Sequence, residues 1–66
     1  MRLKEGEIYQ SKMSDFYYEV VKINKKSNQV HLRDVHCRIK IELPLEYANE
    51  ILKPVPKLKK ILLLEL

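Results

Sequence analysis

Residues 16–43 read FYYEVVKI-NKKSN-QVHLRDV-HCRIKIEL, and this stretch decides the fold. It holds most of the β-branched and aromatic residues of the chain, which favour pleated, half-buried strands. Two or three consecutive strands are expected, FYYEVVKI, QVHLRDV and CRIKIEL. The turn Asn24–Asn28 joins the first two and a tighter turn near Asp34 joins the last two. Asn and Ser suit the first turn because their side chains bond the local backbone and Asn tolerates the left-handed region.

The phase of the apolar residues adds detail. Phe16, Tyr18 and Val20 fall on one face of an extended strand, whereas Val21 and Ile23 carry the apolar phase to the other. A slip of one residue points to a β-bulge or a sharp bend between two sheets. On the next strand Val30 and Leu32 face inward, with His31 and Arg33 outward. From Val35 the alternation is strict. Val35, Cys37, Ile39, Ile41 and Leu43 share one face, with His36, Arg38, Lys40 and Glu42 on the other. One continuous strand with Cys37, Ile39 and Ile41 buried together is therefore expected.

Working outward, Lys4-Glu5-Gly6-Glu7 reads as a turn into a short strand at Ile8-Tyr9, with Gly6 free to take positive φ. The segment 10–15, QSKMSD, reads as a loop. Ser14 and Asp15 are able to cap a helix, but the aromatics and valines that follow favour a strand. Pro44 closes the meander, since it donates no ladder hydrogen bond. Leu45, Ala48, Ile51 and Leu52 then fall at helical spacing, which predicts one or two turns of 3-10 or α-helix over Pro44–Leu52. Leu52-Lys53-Pro54-Val55 reads as a last short strand closed by Pro56.

The last ten residues, KLKKILLLEL, are expected to pack on the barrel or on a partner. A helix would line up Leu58, Ile61 and Leu62, with Leu63 and Leu66 widening the stripe. A strand would set Leu62, Leu64 and Leu66 against Ile61 and Leu63. Leu, Lys and Glu tip the choice toward helix. The run is apolar nearly all round, so it either closes the end of its own domain or forms an interface. Self-association or docking of a partner protein through Leu58, Ile61, Leu62, Leu63, Leu64 and Leu66 is the interface expectation.

Composition bounds the class. Sixty-six residues, 45% apolar and 33% charged, make one small folded domain with a marginal core. The division expected is a domain over 1–56 and an apolar tail over 57–66. One Gly excludes Gly-rich phosphate loops. One Cys excludes an internal disulfide and fits a reducing cytosol. No signal peptide and no apolar run near twenty residues is visible, so a soluble, cytoplasmic protein without membrane contact is expected.

The order short strand, loop, three-strand meander, helical turn, short strand resembles the small SH3-like β-barrels, a superfamily that includes KOW-type domains and many small phage and plasmid proteins. GEIY, YYEVVKI, IKIEL and PLEYANEILKPV carry the resemblance, over about residues 4–55. It implies a mostly β fold of about five strands closed into a barrel. The characteristic KOW glycine between the first two strands is missing. There is no Trp, which removes the peptide-binding SH3 surface.

No catalytic constellation is legible. His31 and the scattered Ser11, Ser14 and Ser27 have no spacing that converges them, so a non-enzyme is expected. His31, His36 and Cys37 are the soft metal ligands, but the expected strand turns Cys37 and His36 to opposite faces, so neither metal nor cofactor is expected. The net charge is +4. Lys22, Lys25, Lys26, Arg33, Arg38 and Lys40 lie on the meander, and of its residues Lys25, Lys26, His31, Arg33, Arg38 and Lys40 are the candidate contacts, with Tyr17 as a nearby aromatic. A basic sheet face with an aromatic is suited to a phosphate backbone and a stacked base, which makes nucleic acid the expected partner. Against this stands pairing of Glu19 and Glu42 with those bases across the strands. The alternative function is a protein-interaction or inhibitor module, dimeric through the tail.

Overall fold

A computed structural model describes residues 2–56. The fold is mostly β: β1 (Ile8–Ser11), β2 (Tyr17–Asn24), β3 (Gln29–Asp34), β4 (Lys40–Pro44), α1 (Leu45–Ile51) and β5 (Leu52–Pro54). The five strands form one antiparallel sheet in the order β4-β3-β2-β1-β5. Strands β4 and β5 are its two edges. The tail residues Leu58, Ile61, Leu62, Leu63, Leu64 and Leu66, proposed from sequence as an interface, lie outside the described residues.

The bulge expected from the apolar phase is present. The β2–β3 register steps from Val20↔Leu32 to Lys22↔His31, leaving Val21 as the extra residue. Both Val21 and Lys22 therefore look outward, and Ile23 returns to the core face. The core packs Val20, Val30, Leu32 and Tyr9 of the sheet against Leu3, Ala48 and Leu52. Tyr18, Ile23, Ile41, Leu43, Leu45 and Ile51 surround it, partly buried. A smaller cluster on the opposite side of the sheet joins Ile8, Tyr17, Val35 and Val55.

Helix α1 follows the sequence expectation. Pro44 stands at its N-cap, and the Leu45 N–H donates to the Asn28 carbonyl at 2.9 Å. Ala48, on its inner face, and Leu52, which follows it as the first residue of β5, are fully covered. Gly6 takes φ +83° and Asn28 φ +56°, both as their residue types allow.

The continuous strand from Val35 to Leu43 is not formed. Asp34 ends β3, and Val35–Ile39 make the turn into β4. Cys37 is exposed and Ile39 is 61% exposed, whereas Ile41 and Leu43 do pack on the core. The cause is local. The Asp34 carboxylate accepts the N–H groups of His36 (2.8 Å) and Cys37 (3.0 Å), and its carbonyl accepts the Arg38 N–H at 3.0 Å. Arg38 closes the turn with φ +61°. A side chain that satisfies two backbone donors offers the chain an alternative to the ladder.

Candidate nucleic-acid interface

The basic residues singled out from sequence fall into separate groups. Arg33 and Lys40 are directly opposed on β3 and β4, with His31 two residues along β3 on the same outer face. The carboxylates expected to oppose them are in place. Arg33 Nη2 pairs with Glu19 Oε1, and His31 Nε2 lies 3.3 Å from Glu42 Oε2. Such half-exposed pairs contribute little stability, about 0–1 kcal/mol each, but they set a carboxylate beside Arg33 and another beside His31. Arg38 sits in the β3–β4 turn, and Lys25 and Lys26 in the β2–β3 turn, at opposite ends of β3. The six residues of β3 set those ends roughly 17 Å apart.

Tyr17 is not available to stack on a base. It is only 8% exposed, packed with Ile8, Val35 and Val55, and its ring stands edge-on to His36 at 6.3 Å. Its place on the outer face follows from strand phase, and its burial follows from the second cluster.

Lys25 and Lys26 belong instead to a cleft of about 990 Å³ at one end of the sheet. Among the described residues its cationic side chains are Arg2, Lys4, Lys22, Lys25 and Lys26, and its single acid is Glu5. The apolar floor is Leu3, Ile23 and Leu45. Elsewhere in the described residues the balance reverses, with five bases against seven acids. The net positive charge of the described residues is thus gathered in one concavity, which focuses its field.

Three contacts hold the N-terminal segment as one wall of the cleft. Leu3 is buried in the core. The Lys4 N–H donates to the Tyr9 hydroxyl at 2.9 Å. The Ile23 N–H donates to Glu5 Oε2 at 2.8 Å, so the one acid of the cleft is engaged with backbone. With Leu3 turned inward, its neighbours Arg2 and Lys4 are exposed beside it. The opposite wall is the β2–β3 turn. There Asn24 Oδ1 accepts the N–H groups of Lys26 (3.1 Å) and Ser27 (3.2 Å), fixing the backbone that carries Lys25 and Lys26. Below them the Asn49 Oδ1, from α1, is buried without a hydrogen-bond partner.

Lys22 also borders a second, smaller groove of about 360 Å³ on the outer face, with Val21, His31, Lys40 and Glu42. The bulge is what turns Lys22 outward and makes it common to both hollows. Arg2 and Lys4 were missed from sequence, and Lys22 was seen among the bases of the meander but not placed in the site. Arg2 and Lys4 lie outside the meander, 18 or more residues before Lys22 in the chain, and the burial of Leu3 brings them beside it. The signal for Lys22 was present in the one-residue phase slip.

Asp34 has a carboxyl pKa below its ordinary value. Desolvation by burial, the largest single influence, pushes it up. The backbone N–H bonds from Cys37 and His36 head the lowering influences, which together outweigh that push. Tyr18, across the ladder from Asp34, is raised by burial first and by the nearby Asp34 charge second. Neither group faces the cleft, and both belong to the turn architecture. Among the described residues no three His, Cys, Asp or Glu side chains come together as a metal site, and no helix is long and apolar enough to cross a membrane.

Comparison with family models, curated proteins and solved structures gives no match for this chain.

Proposed function

We propose that this protein is a small, non-enzymatic nucleic-acid-binding module that uses the cleft of Arg2, Lys4, Lys22, Lys25 and Lys26. One observation carries the reading. Five cations line one concavity with a single acid that is already bonded to backbone, on a body whose remaining described surface is acidic in balance. A concentrated positive field suits a polyanion, and the phosphate backbone is the polyanion whose binding rests on such charges. The outer sheet face is secondary, because Glu19 and Glu42 already occupy Arg33 and His31.

The scaffold is proposed to be an SH3-like barrel. The support is the order of elements, with the helical turn between β4 and β5, and a core enclosed between the bent sheet and α1. The protein-interaction alternative rests on the tail, outside the described residues. The test is titration of labelled oligonucleotides with the full chain and with Lys25→Glu/Lys26→Glu. Binding at low salt that is abolished by the double reversal is expected. Binding indifferent to the reversal, or none at low salt, overturns the reading.

A further inference from the structure

The cleft carries information about which form of nucleic acid it takes. Its lining includes Arg2, Lys4, Lys22, Lys25 and Lys26 and contains no aromatic side chain. Sites that hold single strands combine a basic groove with aromatic rings on which bases stack, each stacked base adding about 1–3 kcal/mol. The aromatics of the fold are placed elsewhere. Tyr17 is packed in the second cluster, and Tyr9 is buried with its hydroxyl accepting the Lys4 N–H. Phe16, 57% exposed, precedes β2 at the far end of that strand from the β2–β3 turn, with its ring edge-on to Tyr18. Tyr47 is exposed on α1 but does not line the cleft.

A site with cations and no stacking platform gains its affinity from charge density alone. Duplex nucleic acid presents about one phosphate per 1.7 Å of axis, twice the density of one strand, and releases more counterions for each phosphate neutralised. We infer that this protein binds the phosphate ridge of double-stranded nucleic acid in preference to single strands, without reading bases. The inference rests on the nucleic-acid reading of the same cleft and narrows its partner. The contacts through Leu3, Glu5 and Asn24 fix the backbone of both cleft walls that carry the cations, and a regular, stiff phosphate ridge suits such fixed walls.

The test uses the full chain with a mixed-sequence duplex and each of its separated strands, all at equal phosphate concentration, at about 50 and 200 mM salt. The duplex is expected to bind at least about fivefold tighter at the lower salt, and a change of sequence is expected to leave its affinity unaltered within about twofold. With four phosphates contacted, affinity for the duplex is expected to fall about 150-fold between the two salts, against about 50-fold for a single strand. Lys25→Gln/Lys26→Gln, in an exposed turn, is expected to flatten the duplex dependence while leaving the circular dichroism unchanged. Single strands bound as tightly as the duplex, or more so, would overturn the duplex inference and leave nucleic-acid binding standing. Absence of binding to every form would overturn both.

Discussion

Replacing Ile39 and Leu32 separately by Ala distinguishes a turn from a strand in the middle of the chain. Leu32 is 1% exposed at the centre of the core, ringed by apolar side chains from the sheet and α1. Truncating such a residue costs about 2–5 kcal/mol, from lost transfer energy and the cavity left behind. A 66-residue domain holds a total of roughly 3–10 kcal/mol at ordinary stability per residue, so Leu32→Ala removes much of it. Ile39 is 61% exposed, outside any strand. Fully burying an Ile side chain is worth about 1.5–3 kcal/mol, and less than half of that burial exists here, so Ile39→Ala is expected to cost about 1 kcal/mol or less. Urea unfolding followed by circular dichroism measures both. With a slope near 1 kcal/mol/M for so small a protein, Ile39→Ala lowers the midpoint by about 1 M or less. Leu32→Ala lowers it by several molar or leaves no folded baseline. Equal losses at the two positions would contradict the turn and restore a continuous strand from Val35.

Two further predictions concern that turn. Arg38 holds φ +61°, a region costing an L-residue about 1–2 kcal/mol, part of which glycine returns through its more flexible unfolded chain. Arg38→Gly is expected to stabilise by up to about 1 kcal/mol in urea unfolding and to leave oligonucleotide affinity within about twofold; destabilisation would contradict the turn geometry. Asp34 has a depressed folded pKa, so its contribution is fully present above its unfolded pKa, about 3.9, and is lost as pH falls through the folded value. Asp34→Asn is therefore expected to be less stable than the parent at pH 7 and to approach it at about pH 3. An equal difference at both pH values would show that the charge is not what matters.

Much of the sheet was legible because period-two alternation survives wherever one face is buried. The bulge at Val21, the Asn28 turn and the inward stripe of α1 all follow from local residue patterns. The error at Val35–Ile39 arose where the same pattern was accidental. Val35, Cys37 and Ile39 alternate with His36 and Arg38 as a strand would, yet the Asp34 carboxylate captures the consecutive N–H groups of His36 and Cys37 and curls the chain into a turn. A pattern of hydropathy does not report such a capture, although Asp after an apolar strand was its one visible sign.

The site was less legible than the fold for a different reason. Lys25 and Lys26 share a short polar turn and were visible as a pair, whereas Arg2 and Lys4, which line the same cleft, come from the N-terminal end of the described residues. Linear clustering joined Lys25 to Arg38, which the length of β3 separates. The outer-face bases met their carboxylates through strand register, as cross-strand pairing predicts.

Backbone amide shifts of the isotope-labelled full chain, followed while a duplex is added at low salt, test most directly whether the cleft is the binding surface. The shifts are expected to concentrate on residues 2–5 and 22–28, the two walls that carry Arg2, Lys4, Lys22, Lys25 and Lys26. Shifts confined to Arg33, Arg38 and Lys40, or to the tail, would contradict it.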